Sequence, residues 1–143
     1  MTSVQHIAEQ SIAFVRRAGL KVLDCKPGYA HCLIPLAGNE NHMGSMYAGA
    51  QFTLADITGG VLALVSFDMQ RFYPTLKDLK LEFLKPATSD LSLVYQLSET
   101  ELGELQQSAT ANGKAKFLLQ GELKDVQGSV VARASGEFQV RSR

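Results

Sequence analysis

The chain has 143 residues and a mass of 15.6 kDa, the size of one globular domain. With 45% hydrophobic and 20% charged residues it can bury a core and is not a disordered tail. Fourteen Lys and Arg balance fourteen Asp and Glu, so no basic surplus exists for nucleic acid or an anionic membrane, and neither is expected as a partner.

Met1 to His6 lack the basic start and apolar block of a secretory signal. Cys25 and Cys32 are too few for a disulfide framework, so a cytoplasmic protein with two buried, reduced thiols is expected. No linker or repeat divides the chain, which predicts a single domain over 1–143. Residues 3–18 read as one amphipathic helix. Ser3 caps it, Val4, Ile7, Ala8, Ile12 and Val15 recur at helical spacing, and Gly19 is a left-handed stop. Two short apolar runs between Leu20 and Leu36, parted by Lys26-Pro27-Gly28, predict a strand pair, and Ala37 to Ser45 a polar loop.

Met46 to Phe67 is apolar on nearly every face, with Asp56 its only carboxylate and no Lys or Arg. Asp56, Thr53, Thr58 and Gly59-Gly60 argue against a membrane span, so a buried central helix is predicted. Leu79, Leu81 and Phe83 then alternate with Lys80 and Glu82, and Leu91, Leu93, Tyr95 and Leu97 with Ser92, Val94 and Gln96. Ser98-Glu99-Thr100-Glu101 is a capping box opening a short helix that runs to Asn112-Gly113. Lys114 to Lys124 and Val130 to Val140 form the last two strands, joined by Asp125-Val126-Gln127-Gly128. One-sided strands with short connections favour an antiparallel sheet whose dry face needs a cover, and only the central helix is apolar enough. The expectation is an α+β fold: a curved sheet around one long buried helix, with an N-terminal helix and a short extra helix. Exposed sheet edges predict a homodimer, with a dimer of dimers also open.

Chemistry concentrates around the start of the central helix. Ala48, Gly49 and Ala50 are small enough to let a ligand approach the free N–H groups of its first turn, donors suited to a polarised carbonyl oxygen; tight helix packing is the other use of such residues. Asp56, a carboxylate in apolar surroundings, needs either hydrogen-bond partners or a catalytic task. Lys77, Lys80, Lys85, Lys114 and Lys116 read as solvated sheet surface, and Met43 and Met46 as either tunnel lining or core filling. His6, His31 and His42 are scattered and the cysteines have no partner pair, so no metal site is expected. There is no phosphate loop and no serine nucleophile elbow.

Asn41, Gly44, Gly49 and Asp56 at this spacing, followed by Phe83-Leu84-Lys85-Pro86-Ala87, resemble the hotdog-fold acyl-CoA thioesterases over almost the whole chain. The pattern is close to the phenylacetic-acid-pathway type. The wording Asn41-His42-Met43-Gly44-Ser45-Met46-Tyr47-Ala48-Gly49-Ala50 is closer still to a branch of uncharacterised relatives. The resemblance implies an acyl-CoA or acyl carrier protein substrate bound at a dimer interface, with no cofactor beyond the CoA moiety. It assigns Gly49 as a backbone oxyanion donor, Asn41 as orienter of substrate or water, and Asp56, from the opposite subunit, as general base or nucleophile. It places His42, Gly44, Tyr47, Ala48 and Thr75 along the substrate. His-Gly-Gly stands in the catalytic branch where this chain has Tyr47-Ala48-Gly49, and a tyrosine cannot shuttle a proton near neutral pH. A non-catalytic acyl-binding module is therefore the alternative, and a dehydratase ranks last because no His pairs with Asp56.

Overall fold

A computed structural model describes residues 2–143. The N-terminal stretch is two helices rather than one, α1 (Thr2–Gln10) and α2 (Ala13–Ala18). The Ser11 hydroxyl turns back to donate to the Ile7 carbonyl, and Ile12 takes an extended backbone (φ −104°, ψ 117°) as N-cap of α2. With Ile12 extended, the ladder of α1 ends at this point and a new one starts at Ala13. Ser3 consequently lies inside α1 and does not cap it. Ala8 and Val15 are buried, but Ile7 and Ile12 stay about half exposed, so the apolar stripe is interrupted as well. Gly19 does end α2 in the left-handed region (φ 78°).

Two short strands follow, β1 (Lys21–Lys26) and β2 (Tyr29–Ile34), then the long helix α3 (Ala48–Ser66). After it come β3 (Phe72–Phe83), β4 (Leu91–Gln96), α4 (Glu99–Asn112), β5 (Lys114–Lys124) and β6 (Val130–Ser142). The six strands form one antiparallel sheet in the order β1-β2-β4-β5-β6-β3. α3 lies across its inner face, against β1, β2, β3, β4 and β6. By length and composition alone α3 passes as a membrane span, yet more than half of it is buried inside the protein. It begins at Ala48, two residues later than the apolar run, because Met46 pairs with Glu40 in a β-bridge and Tyr47 becomes the N-cap.

Alternation along β4 and β5 holds as the sequence predicts: Leu91, Leu93 and Tyr95 on β4, and Ala115, Phe117, Leu119 and Leu123 on β5, are buried. Beneath α3 the rings of Phe67, Phe117, Phe138 and Tyr95 form a row with centroids 5.8–6.1 Å apart. β3 is longer than its alternating half, since a bulge between Leu76 and Asp78 shifts the register and restarts the inward phase at Leu79. The sheet nearly divides between β4 and β5, which register only through Ser92 and Lys124. There Gly121 is indispensable: a Cβ on it would lie 2.7 Å from the Val94 carbonyl oxygen and 2.6 Å from a Leu93 methyl. Over that close crossing the outer face of the sheet is hollow.

The capping box forms as expected, Glu101 N–H donating to Ser98 Oγ (3.1 Å) and Ser98 N–H to Glu101 Oε1 (3.0 Å). Gly103 sits inside α4 with no atom within 4 Å of where a Cβ would go. Gly103→Ala therefore raises stability by about 0.5–1 kcal/mol, read as a higher midpoint in urea with an unchanged slope.

Candidate active site

The loop before α3 is held by its own side chains. Asn41 Oδ1 accepts from the N–H groups of Met43 (2.8 Å) and Ser45 (3.2 Å), and its Nδ2 donates to Ser45 Oγ (3.0 Å). The turn this closes needs a left-handed residue, and Gly44 supplies it at φ 84°. Asn39, which sequence reasoning passed over, donates to the Ala18 and Pro35 carbonyls (both 2.8 Å) and accepts from the Tyr47 N–H through its own carbonyl (2.9 Å). Gln51, buried in the first turn of α3, donates to the Met46 carbonyl (3.3 Å). Met46 is core, whereas Met43 and His42 are exposed.

Helix α3 thus starts on a braced entry. Ala50 and Gln51 give their N–H groups to the Tyr47 carbonyl, while those of Ala48 and Gly49 have no acceptor among the described residues. Both residues line an apolar cleft of about 340 Å³ with Phe52 and with Leu81 and Phe83 from the free edge of β3. The Tyr47 ring lies against Gly49, and a Cβ there would come within 2.3 Å of it. Two unused donors at a helix N-terminus beside an apolar cleft suit a polarised carbonyl carrying a greasy chain.

Further along α3 the buried polar groups are mostly spent on the helix itself. Thr53 donates to the Gly49 carbonyl and Thr58 to that of Leu54, and the Ser66 hydroxyl accepts from the Gly28 N–H. Asp56 is the exception. It is half-buried, makes no hydrogen bond or ion pair among the described residues, and burial alone pushes its carboxyl above the usual aspartate range. It shares the less covered side of the helix with Gly49, Phe52 and Gly60. At 1.5 Å per residue Asp56 lies about 10 Å along the axis from Gly49, too far for both to touch one carbonyl.

The remaining sequence candidates sit elsewhere in the single chain. Thr75 is half-buried in the first half of β3, opposite Gln139 of β6, and does not line the cleft. Lys77, Lys80, Lys85, Lys114 and Lys116 are all exposed. A larger concavity, about 700 Å³, occupies the outer sheet face over the β4–β5 crossing, lined by His31, Lys80, Glu82, Lys124 and Arg133 among others. Its mixed charges and its position across the sheet from α3 separate it from the helix donors. Cys32 is buried and its thiol is pushed up to about 12, while Cys25 is half-buried; both are free.

A Pseudomonas aeruginosa protein described as of unknown function and a probable thioesterase is 45% identical, with 99% of this chain and 95% of that one aligned at a TM-score of 0.91. A candidate thioesterase from Shewanella oneidensis is 24% identical over all of both chains, with a TM-score of 0.82. A Haemophilus influenzae thioesterase shares the fold at 10% identity and a TM-score of 0.76, covering 99% of this chain and 90% of its own. No curated protein matches the sequence. With residues 2–140 matched, the chain belongs to the family described as a domain of unknown function (DUF4442), and its sheet wrapped on α3 is the hotdog fold of the thioesterase superfamily.

Proposed function

We propose that the protein hydrolyses the thioester of an acyl-CoA or acyl carrier protein in the cytoplasm, as a homodimer whose two chains complete each site. The observation carrying this reading is the pair of unused N–H groups of Ala48 and Gly49, opening on an apolar cleft, with an unpaired carboxylate on the same helix but out of reach.

The separation between donor and carboxylate favours a site built from two copies. Antiparallel pairing of β3 with its own copy about its middle sets Thr75 near the partner's cleft, where Leu81 and Phe83 lie. In that arrangement the thioester carbonyl accepts from Ala48 and Gly49 of one chain, and Asp56 of the other removes a proton from water. The hydroxide oxygen adds to the carbonyl carbon, and the helix donors hold the oxyanion. Collapse breaks the C–S bond, and the proton passes from Asp56 to the leaving thiolate. A carboxyl already raised above its ordinary range is tuned toward a base, so the base is the role assigned to Asp56. Asn41 keeps one amide hydrogen beyond its bond to Ser45, available to the substrate or the water. His42, Gly44 and Tyr47 frame the loop side of the same entrance.

Tyr47 at the helix entry favours a second reading, acyl binding without turnover, because it offers no proton shuttle. A panel of acyl-CoAs and acyl carrier proteins, with free thiol followed by a colorimetric reagent, separates the two. Thiol release above the uncatalysed rate on at least one member supports hydrolysis. Tight binding of a non-hydrolysable analogue without release on any member replaces it with the binding module.

A further inference from the structure

Tyr47 is fixed at its backbone and free at its side chain. Its N–H donates to the Asn39 carbonyl (2.9 Å), and its own carbonyl accepts from the N–H groups of Ala50 (3.0 Å) and Gln51 (3.3 Å). As N-cap of α3 it makes no side-chain bond to the helix, and its hydroxyl has no hydrogen-bond partner among the described residues. The ring is folded down on Gly49, with Cε2, Cδ2 and Cζ at 2.3, 2.9 and 3.0 Å from where a Cβ on Gly49 would sit. Packing alone accounts poorly for this contact, because the side chain stays 57% exposed and removes little apolar area from water. What the contact fixes is the hydroxyl. Cζ carries it, so the phenol oxygen hangs one bond beyond an atom that lies against the residue whose N–H is unused. That places it beside the cleft lined by Ala48, Gly49 and Phe52.

We infer that the Tyr47 hydroxyl is a third donor to the thioester carbonyl oxygen, completing the set begun by the N–H groups of Ala48 and Gly49, and that Gly49 is bare so that the phenol can reach it. The inference rests on the acyl-thioester reading of the cleft. An oxygen that accepts from a phenol and a peptide N–H, each at about 2.9 Å, holds those donors up to about 6 Å apart, a gap the ring closes by rotating about its own side-chain bonds. Hydrogen bonds to that oxygen strengthen as it gains charge in the tetrahedral intermediate, so a donor there speeds addition. No bond to Tyr47 forms or breaks. The proton from water still goes to Asp56 and on to the leaving thiolate, so a residue that shuttles no proton nonetheless serves turnover.

Tyr47→Phe keeps the ring and its seat on Gly49 and removes the hydroxyl alone. On the fastest member of the acyl-CoA panel its kcat should fall by about 10²-fold, with the melting temperature and the midpoint of the pH profile unchanged. A wild-type kcat in this variant overturns the inference and leaves hydrolysis standing. In Gly49→Ala the new methyl meets only the far end of a mobile side chain, so the chain folds and the ring swings off. The losses from the two single variants should therefore not add in the double variant, and additive losses also overturn the inference. Infrared spectroscopy supplies a readout without turnover, using acyl-CoA analogues with a CH₂ in place of the thioester sulfur and a carbon-13 carbonyl. The bound carbonyl stretch should lie at higher frequency in Tyr47→Phe than in the wild type; equal frequencies overturn the inference. A wild type that shows this difference yet hydrolyses no panel member sinks the hydrolysis reading alone. Failure of every analogue to bind sinks both.

Discussion

Replacing Asp56 with Asn lowers kcat/KM for thioester hydrolysis by about 10²-fold or more while raising the melting temperature. The two effects have one cause. Burial lifts the Asp56 carboxyl above its ordinary range, so the folded state holds that proton to higher pH than the unfolded chain does. Stability is therefore lost as pH climbs from the ordinary aspartate range through the raised midpoint, and the penalty persists at neutral pH. Asparagine keeps the shape and removes the charge, so the penalty goes and the proton acceptor goes with it. Calorimetry at pH 7 beside a thiol-release assay reads both numbers. A lower melting temperature would mean that Asp56 has a stabilising partner in the assembled protein. Unchanged hydrolysis would remove it from the reaction. For the wild type, kcat/KM should rise with pH through a midpoint above the usual aspartate value and then level off, since the base works only when ionised.

Gly121→Ala costs about 2–3 kcal/mol, roughly 3 °C of melting temperature for each kcal/mol in a chain of this size. The added methyl meets the Val94 carbonyl oxygen at 2.7 Å, and backbone cannot swing aside as a side chain can. β5 would have to move away from β4 where a single registered pair, Ser92 with Lys124, joins them. Gly60→Ala is the matched control, because nothing lies within 4 Å of its added methyl. Urea unfolding of both variants tests the contrast. Equal midpoints would show that the crossing is looser than its geometry implies.

What was legible in the sequence was local. The capping box of Ser98 and Glu101, the stop at Gly19 and the strict alternation of Leu91 to Leu97 each depend on neighbours a few positions apart, and each appears as read. The apolar wrap of α3 named the covering helix correctly because no other segment matched it. Illegible features depend on distant residues. The first half of β3 does not alternate, holding Pro74 and a bulge beside Lys77, so only its pairing with β6 reveals it as strand. The break at Ser11 and Ile12 lies inside a periodic run, where the apolar spacing carries no sign of it. The resemblance made Asn41 an orienter of substrate or water, yet two of its three side-chain hydrogen bonds serve backbone N–H groups of its own turn. Gly59 entered the sequence reading only as an argument against a membrane span and Gly121 not at all; their need for bare backbone comes from Phe138 and Val94, far along the chain. Tyr95 looked like one more inward residue, because alternation reports direction and not whether an oxygen has company.

The two margins of the sheet differ in a way that limits how far it can be extended. At β1 an inward-reaching Glu9 already occupies the Val22 N–H, and the strand is six residues long and kinked at its second position. At β3 twelve residues run bare. In the proposed pairing of β3 with its own copy the two open margins meet edge to edge, and each chain's long bare strand is used up in that one union. Growth into a filament, the usual hazard of an uncovered strand, is then opposed at the other margin by the short, bulged β1 with its Val22 N–H already taken.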